Sequence, residues 1–97
     1  MFNPRRQIPP HIRDQVITRD KRTCQYCGAK GLYNRRCTID HIVPIVQGGT
    51  NEPDNLIVAC PTCNHRKHST PLAQYIEQRK NAIAKELEWL AKLEQRV

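Results

Sequence analysis

A chain of 97 residues with 38% hydrophobic and 5% aromatic content can bury one small core, and a core of that size leans on a covalent or metal staple. Sixteen Lys and Arg against nine Asp and Glu give a formal charge of +7, which makes a polyanion, nucleic acid first of all, the expected partner. No apolar run approaches the roughly 20 residues needed to cross a bilayer, and the opening Met-Phe-Asn-Pro-Arg-Arg lacks the apolar stretch of a signal peptide; a membrane span and secretion are set aside and a cytoplasmic chain is expected.

Residues 1–8 carry Pro4, Arg5 and Arg6 without periodicity and read as a mobile basic arm. Residues 9–70 read as one domain, which opens on Pro9 and Pro10. From His11 to Asp20, Ile12, Val16 and Ile17 recur at helical spacing, so a short helix is expected with Pro10 in its first turn. Cys24-Gln-Tyr-Cys27-Gly28 has the form of a tight metal knuckle, with Gly28 free to take a positive φ. Between Arg36 and Val43, apolar and polar residues alternate around Cys37 and Ile39, which predicts a strand ending at Pro44. Gln47-Gly-Gly-Thr-Asn51 signals a turn, and Leu56-Ile-Val-Ala59 a second strand that leads into Cys60-Pro-Thr-Cys63. A brief helix is expected to start near Asn64 and stop before Pro71. Residues 71–97 then form a long helix, with Thr70 as N-cap and Pro71 at its first position. Its stripe of Leu72, Ile76, Ile83, Leu87, Leu90 and Val97, widened by Tyr75 and Leu93, packs on the domain or pairs with a partner, a second copy included; packing on the domain is the reading favoured. Strands and helices in this order make the chain α+β.

Inside a reducing compartment, cysteines paired at short spacing are better read as metal ligands than as disulfides. Cys24 with Cys27 and Cys60 with Cys63 form two such pairs, each able to present both thiolates to one tetrahedral zinc. A closed four-thiolate site leaves no position for water, so this zinc is expected to hold the fold and do no chemistry. Residues 28–59 between the pairs leave room for the hairpin and a functional loop. Cys37 is left over, and at an alternating strand position it reads as a small buried hydrophobe.

Between the knuckles lie residues suited to phosphodiester hydrolysis, which needs an activated water, neutralised phosphate charge and a stabilised leaving oxygen. Adjacent at a strand end, Asp40 and His41 point to opposite sides, so one can bind metal while the other addresses the opposite face of a phosphate. An imidazole at His41 can accept the water's proton. Oxygens of Asp40 and the Asn64 amide suit a hard cation such as Mg²⁺. His68, four residues after Asn64 on the brief helix, faces the same way and is a further candidate ligand. Arg35, Arg36, Arg66 and Lys67 are candidates for phosphate contact, or equally for solvated surface charge.

The ordered string Cys24-x-x-Cys27, Asp40-His41-Ile-Val-Pro44, Gly48-Gly49-Thr50-Asn51, Asn55-Leu56, Cys60-x-x-Cys63-Asn64-x-x-Lys67 resembles the HNH endonuclease family in its four-cysteine form, over about residues 8–71. The resemblance implies a ββα-metal fold, His41 as general base, Asp40 as metal ligand and Asn55 as a residue bracing the hairpin loop. Asn64 stands where colicin-like members carry histidine, which tilts the metal expected there from transition metals toward Mg²⁺ or Mn²⁺. The substrate implied is nucleic acid, double-stranded DNA first; with few aromatics and no recognition helix, base-specific reading is not expected. The competing reading is a non-catalytic, zinc-containing nucleic-acid-binding module.

Overall fold

In the computed structural model, which describes residues 7–97, the chain after Gln7 begins on Ile8, packed against the core, and on Pro9 and Pro10. The rest of the expected basic arm lies outside the described residues. Pro10 occupies the first turn of α1 (Pro10–Arg19), where a missing N–H costs nothing, and the helix buries Val16 while Ile12 and Ile17 flank it.

Two strands follow the first knuckle, β1 (Thr38–His41) and β2 (Leu56–Ala59), paired antiparallel with Thr38 opposite Ala59 and His41 opposite Leu56. β1 is shorter than the alternation around Cys37 suggests, because a 3-10 turn at Asn34–Arg36 precedes it. The core is small: Val16, Cys24, Leu32, Cys37, Leu56, Val58, Ala59 and Cys63. Cys37 is buried within it, as a small apolar residue on this edge should be.

The outer edge of β2 is closed from the α1 side. Asp20 accepts a hydrogen bond from the Val58 amide at 2.9 Å, the Gln25 amide donates to the Val58 carbonyl at 3.0 Å, and Arg19 donates to the carbonyls of Leu56 and Pro53. Asp20 is in turn gripped by the Arg19 guanidinium at 2.8 Å.

The loop between the strands is drawn tight by its two glycines. Gly48 sits at φ +90°, and at Gly49 a Cβ would meet the Val43 carbonyl oxygen at 1.8 Å, so no larger residue fits without moving the loop. The Gly49 amide donates to the Pro44 carbonyl at 2.9 Å.

After the second knuckle comes α2 (Pro61–Lys67), which starts three residues earlier than the sequence suggests: Cys60 is its N-cap residue and Pro61 supplies a pre-set first position. The last helix, α3 (Leu72–Glu94), begins one residue later than expected, with Pro71 as N-cap residue. Only its base meets the domain: Tyr75 is buried and Leu72 half-buried, whereas Ile83, Leu87, Leu90 and Leu93 are exposed. Two strands and α2 around a four-cysteine cluster make this a small α+β fold of the zinc-stapled ββα type. No described helix is long and apolar enough to cross a membrane.

Candidate active site and thiolate cluster

The two knuckles converge. The sulfurs of Cys24, Cys27, Cys60 and Cys63 lie within 4.8 Å of one another, with Cys27 and Cys60 at 3.9 Å. Four thiolates around a tetrahedral zinc at about 2.3 Å would sit about 3.8 Å apart, so the donor set and its spacing fit that ion. Burial pushes the Cys24 thiol up, but hydrogen bonds from the backbone of Cys60, Cys27 and Tyr26 outweigh it and bring the thiol down to about 7. Burial raises Cys63, and its sulfur neighbours raise it further. Among the described residues the buried Tyr75 hydroxyl of α3 makes no hydrogen bond of good geometry, and Cys63 is among the groups that act on it. A metal-bound Cys63 thiolate would offer it an acceptor, which ties the base of α3 to the cluster.

Asp40 is buried at 7% exposure, and its Oδ2 takes two partners: the Lys67 ammonium at 2.9 Å and the Tyr26 hydroxyl. Burial, and next the hydrogen bond to Asp40, hold the Tyr26 hydroxyl far above its ordinary range. Among the described residues no hydrogen bond is made to the other carboxylate oxygen, Oδ1. Lys67 is fully buried and also donates to the His41 carbonyl at 2.8 Å, so it clamps α2 onto β1. This corrects the expectation of a phosphate contact, because an ammonium with no exposed surface has nothing to offer a bound strand. The need for this clamp follows from the burial of Asp40, whose charge would otherwise go unpaired.

On the same face of β1, two residues back, Thr38 accepts from the Asn64 amide nitrogen at 2.9 Å and donates to the Ala59 carbonyl. That contact commits the nitrogen of Asn64, and among the described residues its side-chain oxygen accepts no hydrogen bond. Asp40, His41 and His68 line one cleft, with Pro44, Ile45, Val46 and Ser69; Thr38, Pro61, Asn64, His65 and His68 line an adjoining one. His68 is the shared wall. It does not continue α2 as expected: the helix ends at Lys67 and His68 follows at φ +47°, which turns the chain away.

His41 meets the cleft from the far end of β1, and its Nε2 lies 2.7 Å from the Asn51 Oδ1. Asn55 stays out of the clefts. Its Oδ1 accepts from the Val43 amide at 2.8 Å and its Nδ2 donates to the carbonyls of Val43 and Thr50, so it laces the two arms of the loop together. Arg35, Arg36 and Arg66 are exposed, and none lines either cleft. Sequence reasoning passed over Tyr26, hidden inside the first knuckle, and Asn51, absorbed into a turn signal. The signal for Lys67 was its spacing of three from Asn64 on one helix, which matches Thr38 and Asp40 on one strand face.

An acid, an imidazole and an amide oxygen gathered beside a thiolate cluster fit the pattern read from the sequence, and residues 24–70 match the HNH endonuclease family. Those residues form an HNH domain of that family. Over 64 residues it is 38% identical to the Probable HNH endonuclease of Lactococcus phage SK1, covering 60% of this chain and 66% of that protein. It is 39% identical over 56 residues to the CRISPR-associated endonuclease Cas9 of Actinomyces naeslundii, 57% of this chain and 5% of that one. With the Type IV methyl-directed restriction enzyme EcoKMcrA of Escherichia coli it shares 25% over 64 residues, 61% of this chain and 23% of the enzyme. The chain thus spans less than two thirds of each of these relatives.

Proposed function

We propose that this chain is an endonuclease that hydrolyses phosphodiester bonds of nucleic acid, double-stranded DNA first, with His41 as general base. The observation that carries the reading is that Asp40 and His41, neighbours on β1, line one cleft whose wall, His68, is shared with Asn64. The HNH domain and relatives named as nucleases support it. His41 would take a proton from water as the water oxygen attacks phosphorus; the bond from phosphorus to the leaving sugar oxygen breaks, and that oxygen gains a proton from solvent. Asp40, through Oδ1, and Asn64, through its amide oxygen, would hold Mg²⁺ or Mn²⁺, with His68 as an additional ligand. When bound, such a cation supplies positive charge to the phosphate and to the leaving oxygen. Asn55 would act by keeping the loop behind His41 in shape, while Arg35, Arg36 and Arg66 would meet flanking phosphates. Residues 9–70 form the catalytic module in this reading, the four cysteines hold a structural zinc, and α3 caps the module through Leu72 and Tyr75.

One observation favours the alternative of a non-catalytic, zinc-containing nucleic-acid-binding module: Asp40 is already paired with Lys67, as a purely structural carboxylate would be. A plasmid-nicking assay with Mg²⁺ and with Mn²⁺ separates the two. Nicking that stops with EDTA and falls by about 10²- to 10⁴-fold in His41→Ala is the expected result. Unaltered nicking by His41→Ala overturns the assignment of the base, and DNA binding without any nicking selects the alternative.

A further inference from the structure

We propose that Asn51 sets the tautomer of His41, holding the proton on Nε2 so that Nδ1 carries the basic lone pair. The inference deepens the nuclease reading and rests on it for its catalytic meaning, but its physical content concerns only where one proton sits.

The argument starts from the Asn51 amide, which has two partners of known character. On one side its Nδ2 lies 3.0 Å from the backbone carbonyl of Gln7. On the other its Oδ1 lies 2.7 Å from the His41 Nε2. A carbonyl oxygen can only accept, so the end of the amide facing Gln7 has to be the nitrogen. Turning the amide over would set its oxygen against the Gln7 oxygen, two acceptors with no proton between them. The oxygen of Asn51 therefore faces His41, and an amide oxygen also only accepts. Nε2 must then be the protonated nitrogen of the neutral ring, and Nδ1 the bare one.

The imidazole is held from the side opposite its basic atom. Among the described residues Nδ1 makes no hydrogen bond, and His41 lines the cleft with Asp40. A ring free to exchange tautomers would spend part of its time with Nδ1 protonated, a form that cannot take a proton from water at that atom. The Gln7 carbonyl fixes the amide, the amide fixes the ring, and the segment just ahead of α1 thereby acts on the far end of β1. Asn51 is a positioning residue in this scheme, since it acts through His41.

Nitrogen-15 shifts of His41 in the full, zinc-loaded chain at a pH where the ring is neutral test this directly. The expected spectrum has a protonated Nε2 and a bare Nδ1, with Asn51→Leu giving a mixture of the two forms. Asn51→Asp keeps an accepting oxygen for Nε2 while losing the donor to the Gln7 carbonyl, so it should retain the wild-type tautomer although the segment ahead of α1 is released. In the nicking assay Asn51→Leu should lower kcat by about tenfold, short of what a general base supplies in full, with KM unchanged. Asn51→Asp should restore most of the lost rate. A wild-type ring protonated at Nδ1 overturns the proposal even if nicking proceeds normally. A chain that nicks nothing but shows the expected tautomer overturns the nuclease reading and leaves the proton assignment standing. If Asn51→Leu fails to fold, Asn51→Ala takes its place, and a ring that stays wholly protonated at Nε2 without the amide overturns the proposal.

Discussion

Between Asp20 and His68 side chain after side chain is spent on tying one segment to another, whereas from Lys80 to Glu94 every residue of α3 is exposed. The first region has few apolar residues and compensates with directed bonds: Asp20 on β2, Lys67 on Asp40 and His41, Asn55 across its loop, and four sulfurs around one point. The second has apolar residues in plenty, Ile83, Leu87, Trp89, Leu90 and Leu93, and buries none of them. Apolar content alone does not decide where stability resides. A small module can be held by polar groups and a metal, provided each buried polar group is matched, and a well-patterned helix can add little until something covers it.

The contrast can be tested at four strengths. Metal removal should act most severely: a chelator strong enough to strip zinc, or Cys63→Ala, should abolish the cooperative thermal transition of residues 20–68 followed by circular dichroism, with recovery when zinc is returned to the unsubstituted chain. An unchanged transition would mean that the core carries the module without the thiolates. Next comes Lys67→Met, which strands a buried carboxylate and should cost about 3–5 kcal/mol in urea unfolding. A cost below about 1 kcal/mol would show that Asp40 finds other compensation. Asn55→Ala removes hydrogen bonds to the Val43 amide and to two carbonyls, and should cost about 2 kcal/mol, with faster amide exchange at Val43. Smallest is Leu87→Gln on the exposed stripe, within about 0.5 kcal/mol of the unsubstituted chain. A larger loss, or sedimentation that depends on Leu87, would show that a second copy covers the helix.

The same contrast governs what could be read from the sequence. The knuckles were legible because zinc ligation demands a fixed spacing of cysteines. The loop was legible because Gly48 and Gly49 occupy backbone positions that other residues resist, and β2 coincides with the run Leu56–Ala59. Lys67 was misread, since in a basic chain one more lysine resembles surface charge. Its burial depends on a carboxylate 27 positions away that only the β1 to α2 packing brings near. The start of α2 was missed because Cys60 and Pro61 also serve the second knuckle, whose signal masked the helix start. Asn51 was visible only as part of a turn, as its partners Gln7 and His41 are distant in sequence. On α3 the periodicity predicted the helix correctly and could not say how much of the stripe would find a neighbour.

A two-stranded ribbon this short would ordinarily present an open flank to which any extended peptide could add itself as a third strand. Here the side chains of Asp20 and Arg19 and the backbone amide of Gln25 occupy the outward-facing groups of Val58 and Leu56, so that flank is closed by the chain itself. Polymerisation through strand addition is thereby denied on that side.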